Sequence, residues 1–268
     1  MHTTIDGLRV AYTDQGQGLP PLLFVHGFPL SREAWRSQVE AFAPAHRVVA
    51  PDLRGLGESE ASEGPTSMAR FAEDLAILLQ QLGTGPVVLV GHSMGGYVAL
   101  AFHDRHPELL SGLVLVGTRA GSDGPEAAAK RRATAARVRS EGTASVIEDM
   151  APRMLAAGAA DGDRLGQVRA LMQSARAAGV EGALLGMAER PDATPRLGRI
   201  WLPTLVITGA EDALIPPSES EALARSIPGA DLEIIPHAGH LVAFEQAEAF
   251  NDRLAAWLGR LTAPSPAG

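Results

Sequence analysis

The chain has 268 residues, of which 46% are hydrophobic, and it carries a formal net charge of −8 at pH 7. This composition predicts a folded protein with a large core and gives no support for disorder or for a nucleic-acid-binding surface. Cysteine is absent, which excludes disulfides, thiolate metal sites and a cysteine nucleophile. The amino-terminal stretch does not resemble a signal peptide, and no apolar run approaches the about 20 residues of a membrane span, so we expect a cytoplasmic protein.

Short apolar segments predict the strands, and several are continuous runs, as in strands buried on both faces of a parallel sheet. In chain order they are Leu8 to Tyr12, Leu22 to Val25, Val48 to Ala50, Val87 to Val90, Leu113 to Val116, Thr204 to Thr208 and Leu232 to Ile235. Amphipathic helical spacing recurs between and after them, as in Met68 to Leu82 and Ala247 to Leu261. The alternation of strand and helix predicts an α/β fold.

The alternation is interrupted between residues 119 and 200, where the sequence predicts no strand. Good helix formers from Glu126 to Arg139 predict a helix there. We interpret the glycines that follow as helix breakers, namely Gly142, Gly158, Gly162 and Gly179. This region is therefore predicted to be a group of helices inserted between two strands of the sheet.

Ser93 lies in the stretch VGHSMGGYV, directly after the predicted strand that ends at Val90. The pattern Gly-x-Ser-x-Gly between a strand and a helix, here Tyr97 to Arg105, is typical of a nucleophile elbow. Glycine at positions 91 and 95 leaves room for a turn so tight that the serine adopts strained dihedral angles. We therefore predict that the Ser93 hydroxyl is a nucleophile near a helix N-terminus, where negative charge is favoured.

A serine hydroxyl needs a base, and this type of elbow is followed along the chain by an acid and then a histidine. Asp212 follows one predicted strand, and His240 follows the last one. Because sites in α/β sheets lie beyond the carboxyl ends of strands, we predict a triad of Ser93, Asp212 and His240. Two alternatives stay open, with Glu211 as the acid or His237 as the base.

Two backbone N–H groups are expected to bind the oxyanion. One comes from the residue after the nucleophile, Met94, and the other from a loop that follows an early strand. The segment HGFP after Val25 supplies that loop, and Phe28 is the best candidate in it. The alternative is that His26 and Gly27 form a plain turn.

Five motifs occur in the order HGFP, PDLRGLGES, GHSMGG, TGAEDALIP and HAGHLVAFE, and with them the chain resembles the α/β-hydrolase family over nearly its whole length. The resemblance implies an α/β-hydrolase fold, with a mostly parallel eight-stranded sheet flanked by helices and a helical cap inserted after the sixth strand. We assign residues 119–200 to the cap, and residues 1–118 and 201–268 to the core. The resemblance also implies that Asp52 and Arg54 belong to a structural loop beside the site.

The resemblance implies a serine carboxylesterase that cleaves short or medium acyl esters through an acyl-enzyme, without a metal or an organic cofactor. Serine at the elbow, where some relatives have aspartate, disfavours epoxide opening and dehalogenation. The alternatives with the same triad are a lactonase or enol-lactonase, a carbon–carbon bond hydrolase, and a perhydrolase, since HGFPLS before Trp35 resembles the cofactor-free haloperoxidase branch. A non-catalytic ligand-binding protein is disfavoured by the complete triad. The predicted partner is a small ester or lactone, with no nucleic acid or membrane, and the sequence predicts no oligomeric state.

The predicted cap is rich in methionine and leucine, which suits a hydrophobic, permissive pocket or simply the packing of the cap onto the sheet. These residues are Met150, Met154, Leu155, Leu171, Met172, Leu184, Leu185 and Met187. We interpret the run Lys130-Arg131-Arg132 as a solvated helix face. The cap also contains arginines that could pair with a carboxylate, namely Arg119, Arg131, Arg132, Arg137 and Arg139.

Overall fold

The computed structural model describes residues 1–160 and 162–262. Its centre is an eight-stranded sheet in the order β1-β2-β4-β3-β5-β6-β7-β8. The strands are β1 His2–Ile5, β2 Leu8–Gln15, β3 Leu22–Val25, β4 Val48–Pro51, β5 Val87–His92, β6 Leu110–Val116, β7 Thr204–Gly209 and β8 Asp231–Ile235. Only the pairs β1–β2 and β2–β4 are antiparallel, and the pairs from β4 to β8 are parallel. The predicted fold class is confirmed.

Helices cover the sheet and fill the connection between β6 and β7. They are α1 Arg36–Phe42, α2 Met68–Leu82, α3 Met94–Arg105, α4 Pro125–Glu141, α5 Ala144–Met150, α6 Gly162–Gln173, α7 Ala177–Ala188, α8 Pro217–Ser226, α9 Val242–Glu245 and α10 Ala247–Thr262. None of the helices in the described ranges has the length and apolar character that a membrane span requires.

The core lies on both faces of the sheet because side chains alternate along each strand. In β3, for example, Leu23 and Val25 belong to one buried apolar cluster, whereas Leu22 and Phe24 belong to the cluster on the other face. Both clusters contain strand residues that are fully buried. The continuous apolar runs of the sequence therefore correspond to strands covered on both faces, as predicted.

Strand β1 is the element that the apolar pattern missed. Three of its four residues are polar, and Ile5 alone is buried, so it gives no apolar run. It pairs with β2 through a two-residue turn formed by Asp6 and Gly7, both with positive φ. An Asp-Gly pair is a strong hairpin signal, and it predicts this strand where the apolar pattern does not.

The interpretation of Gly179 as a helix breaker is wrong, because it lies inside α7. A Cβ atom at Gly179 would lie 1.8 Å from the carbonyl oxygen of Gly55, and one at Gly186 would lie 1.8 Å from that of Thr66. Gly182, between them, accepts a hydrogen bond of 2.9 Å from the amide of Thr66. These glycines lie near one face of α7 and let its backbone contact the loop between β4 and α2. Gly142, in contrast, ends α4 as predicted.

Candidate active site

Ser93 sits at the junction of β5 and α3 in a strained conformation, with φ 53° and ψ −113°. Its amide donates a hydrogen bond of 2.9 Å to Val116 O, in the neighbouring strand. A Cβ atom at Gly91 would lie 2.4 Å from Gly95 O, and one at Gly95 would lie 2.3 Å from Val25 O. The flanking glycines are therefore required by backbone contacts, and they hold the serine in a geometry that costs about 1–3 kcal/mol.

Asp212 and His240 form a buried pair at the ends of β7 and β8. His240 Nδ1 lies 2.8 Å from Asp212 Oδ2, and the two side chains are 3% and 0% exposed. The other carboxylate oxygen of Asp212 accepts the amides of Leu214 and Ile215, each at 2.9 Å. Asp212 therefore has a fixed orientation, and it fixes the histidine ring so that Nε2 is the nitrogen left for chemistry.

The two alternative residues lie outside this arrangement. The side chain of His237 is 87% exposed, and its Nδ1 lies 3.9 Å from Glu211 Oε1. Neither residue lines the cavity that contains Ser93 and His240. Their position at the surface favours Asp212 and His240 as the acid and the base.

Phe28 and Met94 lie in the two segments from which the oxyanion donors are predicted, namely the loop after β3 and the start of α3. Met94 is the first residue of α3, so its N–H has no acceptor inside the helix. Phe28 follows β3, and its side chain is buried and lines the same cavity as Ser93. In the described residues no loop carbonyl accepts from the Phe28 amide. Both N–H groups are therefore candidates for the oxyanion site.

His26, by contrast, has a structural environment. Its Nδ1 donates to Gly27 O at 2.8 Å, and its Nε2 accepts the amide of Leu53 at 3.0 Å. Burial lowers the pKa of His26 below its ordinary value. The side chain therefore joins the HGFP loop to the loop after β4 as a neutral group.

Asp52 and Arg54 also have structural partners. Asp52 accepts the amides of Arg32 and Glu58 at 2.7 and 2.8 Å. Arg54 makes a bidentate ion pair with Asp74, at 2.7 and 2.6 Å. These contacts are consistent with the structural role that the resemblance implied.

Two buried side chains support the histidine loop and were not singled out from the sequence. His92 Nε2 donates to the carbonyl of His240 at 2.9 Å, and the two ring centroids lie 4.8 Å apart. Burial, together with the neighbouring His240, lowers the pKa of His92 to about 3, so this ring is neutral. Its sequence signal is its position inside the elbow motif, next to the serine.

Glu245 is the second supporting residue. It accepts the amide of Gly239 at 2.7 Å and that of Ala156 at 2.8 Å. Burial raises its pKa, against the effect of these two amides. One carboxylate thus joins the loop that carries His240 to the segment between α5 and α6, and no sequence pattern indicated that contact.

A cavity of about 830 Å³ opens above Ser93 and His240, within the range of about 300–1,000 Å³ that small-molecule sites occupy. Of the predicted apolar residues, Met150, Leu184 and Met187 line it. Met154, Leu155 and Met172 instead pack in a separate apolar cluster with Leu30 and Leu241. Some of these residues therefore line the cavity and others pack the inserted helices, and a permissive pocket stays a prediction.

The run Lys130-Arg131-Arg132 is not simply a solvated helix face. Lys130 and Arg131 line the cavity, whereas Arg132 does not. The side chain of Arg131 is 26% exposed and pairs with Asp123. The prediction was wrong for Arg131 because its partner lies in the preceding loop, which the charge pattern of the helix does not reveal.

Residues 20–247 match the family model of the alpha/beta hydrolase fold, and the chain belongs to this family. A solved thermophilic esterase from Thermogutta terrifontis is 44% identical with a TM-score of 0.93, covering 98% of this chain and 97% of that one. The enol-lactonase from Burkholderia xenovorans LB400 is 26% identical with a TM-score of 0.89, covering 97% and 100%. Non-heme chloroperoxidase CPO-A1 from Kitasatospora aureofaciens is 31% identical over 96% of this chain and 98% of its own. The predicted family, with its resemblance to the enol-lactonase and haloperoxidase branches, is confirmed.

Proposed function

We propose that this family member is a serine hydrolase that cleaves carboxylic esters with short or medium acyl chains. The observation that carries the proposal is the buried Asp212–His240 pair, whose histidine lines one cavity together with a strained Ser93 at a helix N-terminus. The similarity to an esterase, at 44% identity over nearly the whole chain, supports it.

In the proposed reaction, Ser93 Oγ attacks the ester carbonyl while His240 Nε2 removes its proton. Asp212 orients the ring through Nδ1 and stabilises the imidazolium that forms. The imidazolium then protonates the leaving alcohol, and an acyl-enzyme remains on Ser93. Water, activated by the same histidine, releases the acid and restores the free serine.

The amides of Phe28 and Met94 are proposed to bind the oxyanion of each tetrahedral intermediate. Charge stabilisation by one such donor is typically worth about 3 kcal/mol of the barrier, because the donor is oriented before the reaction begins. The elbow provides one of the two amides automatically, since Met94 follows the nucleophile at the start of α3.

We propose that residues 119–200 form a cap that closes this site. Met150, Leu184 and Met187 line the cavity from this segment, and Phe28 lines it from the core. An apolar wall of this kind accommodates an acyl chain and excludes water from the acyl-enzyme, and flexible methionines tolerate different shapes.

A lactonase is the second candidate, because the fold is also shared with an enol-lactonase over nearly the full length of both chains. Opening a lactone needs the same nucleophile, base and oxyanion site. The difference is that the leaving alcohol stays attached to the acyl group.

The test is hydrolysis of a p-nitrophenyl ester series, from acetate to long acyl chains, by the native protein and Ser93→Ala. We expect a short-to-medium optimum, and a loss of at least about 10⁴-fold in kcat for the variant. Exposed Ser122 supplies the matched control, Ser122→Ala, which should keep full activity. Undiminished turnover by Ser93→Ala would exclude the mechanism. Labelling of Ser93 by a fluorophosphonate without ester turnover would favour a lactone as the substrate.

A further inference from the structure

The cavity above Ser93 has a charge opposite to that of the whole chain. The chain carries a net charge of −8, but cationic side chains line the cavity, namely Arg119, Lys130, Arg131, Arg137 and Arg153. Asp123 and Asp149 are the carboxylates that line it. Building on the proposed ester hydrolysis, we propose that the substrate is an ester bearing a carboxylate group, and that Arg119 and Arg131 bind this group.

The positive charge is concentrated around one buried carboxylate. The side chain of Asp123 is fully buried and pairs with three guanidinium groups, those of Arg119, Arg131 and Arg190. Burial opposes its ionisation, yet Arg131 and Arg190 hold the pKa of Asp123 below its usual value. One carboxylate cannot neutralise three arginines, so a surplus of positive charge remains in the wall of the cavity.

The three arginines differ in what they can offer to a ligand. Arg190 is 3% exposed, and its guanidinium lies 4.1 Å from the centroid of the Tyr97 ring, so it supports the wall. Arg119 and Arg131 are 29% and 26% exposed and line the cavity. Nε of Arg119 is buried and has no hydrogen-bond partner among the described residues. An enclosed nitrogen is out of reach of a ligand, so a carboxylate would meet the exposed end of the guanidinium, where arginine forms charge-assisted hydrogen bonds.

The fold brings the backbone before Arg119 close to that of Ser93, and both side chains line the cavity. Thr118 Oγ1 donates to Ser93 O at 2.8 Å, and Arg119 is the following residue. Tyr97, one helical turn after Ser93 on α3, lines the same cavity. Although burial opposes it, Tyr97 and Asp123 raise the pKa of Arg119, so the guanidinium is charged where an ester would lie. A cation inside a partly dry cavity attracts an anionic substrate more strongly than one on an open surface.

The experiment compares each charged ester with a neutral partner of similar size. Mono-p-nitrophenyl adipate against p-nitrophenyl hexanoate places the carboxylate on the acyl side, and 4-acetoxybenzoate against its methyl ester places it on the alcohol side. The proteins are the native chain, Arg119→Gln, Arg131→Gln, the double variant, and the control Arg132→Gln. Arg132 belongs to the same helix but does not line the cavity.

We expect the native protein to prefer the charged ester by about tenfold in kcat/KM in at least one of the two pairs, because a charge-assisted hydrogen bond is involved. The preference should disappear in the double variant, persist in Arg132→Gln, and weaken as ionic strength rises. Arg132→Gln should keep the native rates on all four esters, whereas in the other variants each charged ester should lose more turnover than its neutral partner. In Arg119→Gln, Asp123 still has two arginine partners, so the fold is preserved.

Three results would overturn the proposal. These are equal rates for charged and neutral esters in both pairs, a preference that survives in the double variant, and a double variant that loses activity on neutral esters to the same extent. The last result would assign the arginines a structural role. Failure of the proposed function is distinguishable, since it would appear as turnover of neutral esters by Ser93→Ala.

Discussion

The residues at the ends of the strands are constrained in a different way from those in the helices inserted between β6 and β7. At the strand ends, the backbone fixes the residue types: Gly91 and Gly95 have no room for a Cβ, and Asp212 is held by two amides. In the inserted helices, most cavity-lining residues are apolar or charged side chains on exposed or half-buried positions. The proposed function therefore assigns the chemical reaction to the first region and the choice of substrate to the second.

The two regions bear on different aspects of the proposed function. The strand ends argue for the class of reaction, because a nucleophile, a base and an acid need fixed positions. The inserted helices argue for the substrate, because they supply the apolar wall and the arginines around Asp123. Substitutions in the first region should therefore change the rate for every substrate, and substitutions in the second should change the choice between substrates.

Asp212→Asn gives the largest expected effect and tests the first part of the contrast. We expect kcat to fall by about 10⁴-fold for all esters alike, because an amide at this position no longer stabilises the imidazolium or fixes the ring tautomer. Glu211→Gln, in the same loop, is the matched control and should keep near-native activity. A variant of Asp212 that retains full activity would show that the buried pair does not serve the reaction.

Gly186→Ala tests how the inserted helices are joined to the core. Its Cβ would lie 1.8 Å from Thr66 O, which is backbone and cannot rotate away. We expect the free energy of unfolding to fall by about 1–3 kcal/mol, as measured by urea denaturation.

Gly166→Ala is the control for this effect. Gly166 lies inside α6, and a Cβ there has no atom within 4 Å. The substitution should stabilise the protein by about 0.5–1 kcal/mol, because alanine is the better helix former. Equal effects of the two substitutions would contradict the close contact at Gly186.

The sequence predicts much of the site because its residues obey local rules. Ser93 is recognised from the glycines that its turn requires, and Asp212 and His240 from their order after strands. The structure brings Asp212 and His240 together, and Ser93 and His240 line the same cavity, while the roles of the three residues stay predictions. The β1 strand shows the limit, since its single buried residue, Ile5, gives no pattern.

What could not be predicted depends on partners that are distant in the chain. Arg190, which follows α7, forms an ion pair with Asp123. Gly186 of α7 packs against the backbone of Thr66, which lies far earlier in the chain.

The sequence alone does not distinguish a charged residue or a glycine that faces solvent from one that contacts another part of the chain. For this reason the pattern predicts Gly179 as a breaker, although it contacts the backbone of Gly55. The partner of Arg131 is closer in the chain, but Asp123 lies in the loop before α4 and outside the charge pattern of that helix.

The last prediction concerns His92, whose buried ring links the ends of the strands to stability at acid pH. In the unfolded chain a histidine takes up a proton near pH 6.5, whereas folded His92 does so only near pH 3. Between these values the unfolded state binds more protons, so the free energy of unfolding should fall as the pH decreases, by about 1.4 kcal/mol per pH unit for this residue.

His92→Gln should remove this contribution to the dependence of the free energy of unfolding on pH. Urea denaturation at pH 5 and pH 7 measures that dependence, which is called the slope below. The variant should keep a smaller slope of the same sign, because burial also lowers the pKa of His26. His2→Gln changes an exposed histidine and should leave the slope at its native value. An unchanged slope in His92→Gln would mean that folding leaves the pKa of His92 at its ordinary value. The ring would then take up a proton near the same pH in the folded and unfolded chains, and it would be less enclosed than its hydrogen bond to the carbonyl of His240 implies.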